Sequence, residues 1–323
     1  MSAPLISVIM PMRDGERFVR EAVDSVLAQT CTDFELIVVD DGSTDGGPAI
    51  VRSYDDPRVQ LVTLPVAGGI SRALQAGLAV STAALVARMD ADDVSLPDRF
   101  AAQVAFLAAH PGVVAVGVTP ILIDQDGGQY RPYPLLTRDA ELRRCLTVKG
   151  PFCHGSVLMR RTALDAAGGY RSEQEPAEDY GLWIRLAAHG HLANLPRALY
   201  RLRVGDHSVS FRQQARQQDQ LVALRHQART ALGDPTLRWS ELRSGQRFYR
   251  AEQVGSGLAL ERCFVREMHE LACLDLLRRG PVRAGRNLLL ALALSAFDPR
   301  KLRQMWRFHR QQHGLSQVRQ VVG

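Results

Sequence analysis

Lysine is almost missing from this 323-residue chain: Lys149 and Lys301 are the only two among 40 basic residues. Cysteine is also sparse. Cys31, Cys145, Cys153, Cys263 and Cys273 make an odd set with no C-x-x-C spacing. That excludes the usual zinc and dithiol redox motifs and leaves reduced thiols in the cytosol as the expectation. No window approaches 18 uninterrupted apolar residues, so a membrane-spanning helix is not expected. Met1-Ser2-Ala3-Pro4-Leu5 has no charged stretch ahead of an apolar one, so neither is a secretory signal. Two phosphate-cradling loops are absent as well. The first strand-to-helix turn reads Pro11-Met12-Arg13-Asp14-Gly15 where a dinucleotide fold would place G-x-G-x-x-G, and no G-x-x-x-x-G-K-[ST] occurs.

The chain has 46% hydrophobic residues, enough for a substantial core. Its length suits one large domain with an appendage, or two domains. Charge divides it. Residues 1–211 carry 20 basic against 25 acidic groups, and residues 212–323 carry 20 against 9, so the net charge of +6 belongs wholly to the last third. We therefore read residues 1–211 as one domain and 212–323 as a basic helical C-terminal region.

In the first part, short apolar runs alternate with helical periodicity. Leu5–Met10 reads as a buried strand stopped by Pro11. Phe18, Val19, Ala22, Val23, Val26 and Leu27 share one helical face. Phe34–Val39 is a second strand, 59–64 a third and 85–89 a fourth, with helices expected over 45–54 and 70–79. Helix 97–108, strands at 113–118, 121–123 and 156–159, a short helix 163–167, a helix from Tyr180 and a last strand at 199–203 follow, while 129–150 reads as irregular. Strand–helix–strand repeats predict an open, mostly parallel α/β sheet with helices on both faces. Ligands bind beyond the C-terminal strand ends of such sheets.

Those ends are acidic. Asp90-Ala91-Asp92-Asp93 follows the fourth strand, and Asp40-Asp41 follows the second. A lone Asp-X-Asp is more often a surface turn, and the first aspartates before Gly42-Ser43 could be a helix cap. Glu178-Asp179, at the start of a helix, could likewise be simple capping. Three polar strand ends on one edge favour a site: clustered carboxylates suit a hard divalent ion shared with substrate phosphates.

Residues 5–210 resemble the family 2 inverting glycosyltransferases with the GT-A fold. The resemblance rests on Ile6-Ser7-Val8-Ile9-Met10-Pro11, Phe34 to Asp45, Ala87 to Asp93 with Pro97 and Arg99, and Gly168-Gly169-Tyr170 with Glu178-Asp179-Tyr180-Gly181-Leu182-Trp183. It implies that Pro11, Arg13, Asp41, Arg72 and Asp90 bind the donor nucleotide. It implies that Asp90 and Asp92 hold Mg²⁺ or Mn²⁺ and that Asp179 is the catalytic base. His154 and Glu178 would lie on the acceptor side. The family usually has an aromatic where Arg13 stands, and often a metal-binding His where Arg203 stands. His207 could take the latter role after a loop shift, or be a solvated loop histidine.

The expected function is transfer of a sugar, with inversion, from a nucleotide-diphospho-sugar to a hydroxyl of a glycan or lipid-linked acceptor in polysaccharide synthesis. A nucleotidyltransferase would need a glycine-rich signature with Arg and Lys near the N-terminus, which residues 11–16 lack. A non-catalytic sugar-nucleotide-binding subunit would show a damaged acidic set, yet Asp41, Asp90, Asp92 and Asp179 are all present. The basic tail has two readings: helices that pack on the catalytic domain, or a peripheral surface on the cytoplasmic face of a membrane, where each basic residue adds roughly 1 kcal/mol. No nucleic-acid-binding motif is present, so that partner is not expected.

Overall fold

The computed structural model describes residues 3–132, 135–147 and 150–203, with residues 220, 223–224, 227–228 and 230–232 beyond them. The chain divides into two compact units, Met1–Leu237 and Arg238–Gly323. The second unit lies outside the described residues, and so do His207 and all but a few residues of the predicted basic helical region.

Nine strands and seven α-helices are found among the described residues. The first half is β1 (Ile6–Met12), α1 (Val19–Leu27), β2 (Phe34–Asp40), α2 (Gly47–Arg52), β3 (Val59–Thr63), α3 (Ile70–Val80) and β4 (Leu85–Arg88). Then come β5 (Val94–Ser95), α4 (Arg99–Ala109), β6 (Val113–Ile123), β7 (Gln129–Pro132) and α5 (Asp139–Leu146). The last elements are β8 (Leu158–Arg160), α6 (Arg161–Ala166), α7 (Glu178–Leu186) and β9 (His191–Arg203). The strand order is β3-β2-β1-β4-β8-β6-β9-β5, with β7 paired to β6. β1 to β4 are mutually parallel, β8 is antiparallel to both its neighbours, and β6 and β9 are parallel.

Side chains alternate across the sheet, so each central strand feeds two cores. In β1, Ile6, Val8, Met10 and Met12 point to one face with α1 and α4, while Ile9 joins α3 and α7 on the other. In β2, Phe34, Leu36 and Val38 divide from Ile37 and Val39 in the same way. Helix α1 buries Val19, Ala22, Val23 and Val26, the stripe read from its period. Each of the three valines contributes about 1.5–3 kcal/mol on burial. Leu224 and Ala228 are buried in the α7-side core.

Several expectations need correction. Pro11 does not end β1: it pairs with Val39, and the strand runs to Met12. Pairing of β1 with β4 stops at Ile9–Arg88, and Pro11 faces that same side, so its missing N–H has no ladder partner to lose. The two short strands expected at 113–118 and 121–123 are one strand, which absorbs Pro120 through register shifts. The stretch 129–150 contains β7 and α5, and α5 buries only Leu142 and Leu146. The two-residue β5 was not foreseen. Cys31, Cys145 and Cys153 form no disulfide, and no helix among the described residues is long and apolar enough to cross a membrane.

Candidate active site

Parallel β1, β2 and β4 end on one edge of the sheet, which brings Pro11, Asp40–Asp41 and Asp90 together there. The turns after β1 and β2 are laced to each other. Asp14 Oδ1 accepts the Thr44 N–H at 2.8 Å, Ser43 Oγ accepts the Asp14 N–H at 2.9 Å, and Asp45 Oδ2 accepts the Glu16 N–H at 2.7 Å. Arg13 stands exposed on this lacing.

Asp41 is only 4% exposed. Its carboxylate accepts the backbone N–H groups of Gly68 at 2.6 Å and Gly69 at 2.9 Å, shaping the entry to α3. Each oxygen keeps a further lone pair for a ligand. Gly69 has φ +88°, and a side chain there would strike the Glu175 carboxylate, which accepts the Ser71 N–H at 3.3 Å. Gln75 Nε2 donates to the Tyr170 carbonyl at 2.8 Å, so the segment leading to α7 lies along α3. Exposed Arg72 folds back over Gly68.

The acidic turn after β4 is held from below by arginines. Arg99, wholly buried, donates to the Arg88 carbonyl at 2.6 Å and to Gln103 Oε1 at 3.2 Å, and burial brings its pKa down to about 10. The Arg88 guanidinium is paired with Asp90. Asp92 is pushed up to about 6, first by burial and then by the Asp90 charge. Asp93, 1% exposed, accepts the Tyr200 hydroxyl at 2.7 Å and the Arg203 N–H at 2.6 Å. Burial and the neighbouring aspartates hold its pKa well above the usual range. Tyr200 Oη in turn accepts the Asp90 N–H at 3.3 Å. A Cβ on Gly155 would collide with that hydroxyl and with Asp90 Oδ2, so only glycine permits this approach.

Asp179, half-buried in the first turn of α7, accepts the Tyr180 N–H at 2.6 Å. Burial raises its pKa, Arg88 opposes that, and Asp90 is near enough to add to it. Glu178 is buried and is pushed up to about 8 by burial, then by the Asp179 charge. His154 places Nε2 2.9 Å from the Tyr170 hydroxyl and packs edge-on to Trp183. Burial, with the Arg88 charge, keeps its pKa well below normal, so the ring is neutral.

The structure therefore gathers Asp90, Asp92, His154, Glu178 and Asp179 around Arg88, with Pro11 and Asp41 farther along the same edge of the sheet. Arg203 is no metal ligand. Its guanidinium donates to the Asp92, Asp124 and Gln125 carbonyls and to Glu21 Oε2 at 2.7–3.1 Å, and it stacks on Phe18. Sequence reasoning missed Arg88, Tyr170, Tyr200 and the part played by Asp93. For Arg88 the signal was a charge at an otherwise apolar strand position. No group of three or more metal-ligating side chains occurs among the described residues. Asp90 and Asp92 nevertheless fit a hard cation that takes one or two carboxylates and completes its shell with substrate phosphate oxygens.

This sheet, with an acidic pair beyond β4 and a separate carboxylate opening a helix, defines a GT-A glycosyltransferase architecture. Residues 7–168 match Glycosyl transferase family 2, and the chain belongs to that family. Among curated relatives, the amylovoran biosynthesis glycosyltransferase AmsE of Erwinia amylovora is 33% identical over 214 residues, covering 64% of this chain and 79% of its own. The O-antigen biosynthesis glycosyltransferase WbnJ of Escherichia coli is 32% identical over 191 residues, covering 56% and 71%. Among solved structures, the mannosyltransferase PcManGT of Pyrobaculum calidifontis, in complex with GDP-Man and Mn²⁺, superposes with TM-score 0.57 at 21% identity, covering 94% of this chain and 83% of its own.

Proposed function

We propose that this glycosyltransferase moves a sugar, with inversion, from a nucleotide-diphospho-sugar to a hydroxyl of a growing glycan or lipid-linked oligosaccharide. The observation that supports the reading is a buried Arg88 paired with Asp90 and bearing also on Asp179, so that the acidic turn after β4 and the carboxylate that opens α7 belong to one cluster. Pro11, Arg13, Asp41 and Arg72 form the nucleotide side. Arg13 stacks on the base or pairs with phosphate. Asp90 and Asp92 would hold Mg²⁺ or Mn²⁺, which supplies charge neutralisation to the departing diphosphate. The Mn²⁺ bound to PcManGT supports a divalent ion here.

On the opposite side Asp179 takes the proton from the attacking hydroxyl as the new anomeric C–O bond forms and the bond to the diphosphate breaks. A base must be ionised and within hydrogen-bond reach of that proton. The helix N-terminus favours the ionised form. Neutral His154 and Glu178, with Tyr170, line the acceptor side as hydrogen-bonding groups. The lipid-linked reading is supported by a relative 26% identical over 223 residues, the UDP-Glc:alpha-D-GlcNAc-diphosphoundecaprenol beta-1,3-glucosyltransferase WfgD of Escherichia coli.

The test is release of nucleoside diphosphate from a panel of sugar nucleotides, with undecaprenyl-diphosphate-linked sugars as acceptors and with Mn²⁺ or a chelator. Acceptor-dependent release that chelation abolishes is expected. Release that ignores both acceptor and metal would remove this reading.

A further inference from the structure

Arg88 is a buried charge at the end of an otherwise apolar strand. It ends β4 and is 2% exposed, and its guanidinium meets Asp90. Its Nε has no hydrogen-bond partner among the described residues. The neighbouring arginines are different. Arg99 is occupied by the Arg88 carbonyl, Gln103 and Ser95, and Arg203 by three carbonyls and Glu21. Arg203 also bears on Asp92, but of these three arginines only Arg88 pairs directly with a carboxylate of the acidic turn. A buried arginine keeps its charge, and holding it with one ionic partner costs stability that two apolar residues would not.

The Arg88 charge reaches both sides of the site. It acts on Asp92 beside the acidic turn and on His154, Glu178 and Asp179 across from it. Without nucleotide, Asp90 is already neutralised by Arg88. A divalent ion arriving alone meets a site one negative charge poorer than Asp90 and Asp92 suggest, with a fixed positive charge behind it. A nucleoside diphosphate brings the missing negative charge and further oxygen ligands.

We propose that Arg88 is the internal counter-ion of the donor site. It weakens the hold of the free protein on a divalent cation and so makes cation and nucleoside diphosphate bind as a pair. The inference rests on the reading of Asp90 and Asp92 as cation ligands.

The test is the Mn²⁺ dissociation constant of the full chain, measured by the electron paramagnetic resonance signal of free Mn²⁺, with and without UDP, GDP or TDP. Arg88→Met is expected to bind Mn²⁺ about tenfold more tightly than wild type without nucleotide, since one unit charge beside a doubly charged ion is removed. The tightening caused by nucleotide should shrink by a similar factor. Arg88→Lys keeps the charge and should stay close to wild type. Should Arg88→Met not fold, Arg88→Gln, neutral and still able to donate to Asp90, is expected to shift in the same direction. Mn²⁺ binding in the neutral variants that is unchanged or weaker overturns the proposal while leaving the cation site standing. Absence of Mn²⁺ binding in every form, nucleotide present or not, overturns the cation site itself and this inference with it.

Discussion

Asp179 and Glu178 are adjacent carboxylates with different surroundings, and the proposed function gives them different tasks. Replacing Asp179 with Asn preserves size and removes the proposed base. Turnover should fall by about 10²–10⁴ while donor affinity, read by calorimetry, stays near wild type. Transfer at an undiminished rate would exclude Asp179 as base. Glu178, pushed up to about 8, is a case for linkage. Its folded pKa lies above the ordinary glutamate value of about 4.3. Its contribution to stability is therefore present below that value and lost as pH rises through about 8. Glu178→Gln should gain stability relative to wild type across that window, most at its alkaline end. Parallel melting curves at pH 4 and pH 8 check this. Asp93 is buried with both oxygens occupied. Tyr200→Phe takes away one donor and leaves the Asp90 N–H without its hydroxyl acceptor, at a cost of about 1–3 kcal/mol. A melting temperature equal to wild type would contradict that.

At the scale of elements, the entry to α3 is shared property: Asp41 holds it from the end of β2 and Glu175 from the segment leading to α7. Gly69→Ala would force a left-handed residue to carry a side chain into the Glu175 carboxylate. Both nucleotide affinity and turnover should drop, by about tenfold each if about 1.4 kcal/mol is lost from each. A loss confined to one of them would mean the two sides are not joined here. Elements with strong local periodicity, such as α1 with its four buried aliphatics, could be read from the residues alone. Asp90 and Asp92 could be singled out as candidates because strand ends on one edge carry a local signal, whereas Asp179, which a helix start explains as a cap, was a candidate only through the family resemblance. Helix α5, with two buried residues, and β5, with two residues in all, offer no period to read. The Asp93–Tyr200–Arg203 contacts join positions 107–110 residues apart, and nothing near Asp93 announces them. Asp41 was legible as a site residue, but its grip on Gly68 and Gly69 was not.

For the whole molecule, the uneven charge sets a prediction that the described residues do not reach. If residues 280–323 form a basic membrane-facing surface, the full chain should float with anionic liposomes and a form lacking them should not. Equal flotation of both would leave the tail as helices serving the catalytic unit. The split between 1–211 and 212–323 was drawn from charge alone. Packing adds that Leu224 and Ala228 are buried with the α7-side core.

The clamp on the acidic turn also has a consequence in time. Asp90 to Asp93 leave the ribosome more than a hundred residues before Tyr200 and Arg203, which fix them. A nascent chain can pair its first four strands early, because all four lie within its first 88 residues. Arg88 and Arg99 can hold the turn from below at that stage, but Asp93 stays without its partners until β9 has been synthesised and has run alongside β6. The clamp on this turn is thus completed late in biosynthesis, and a chain arrested before residue 200 would carry all three of its aspartates with the Tyr200 and Arg203 contacts still missing.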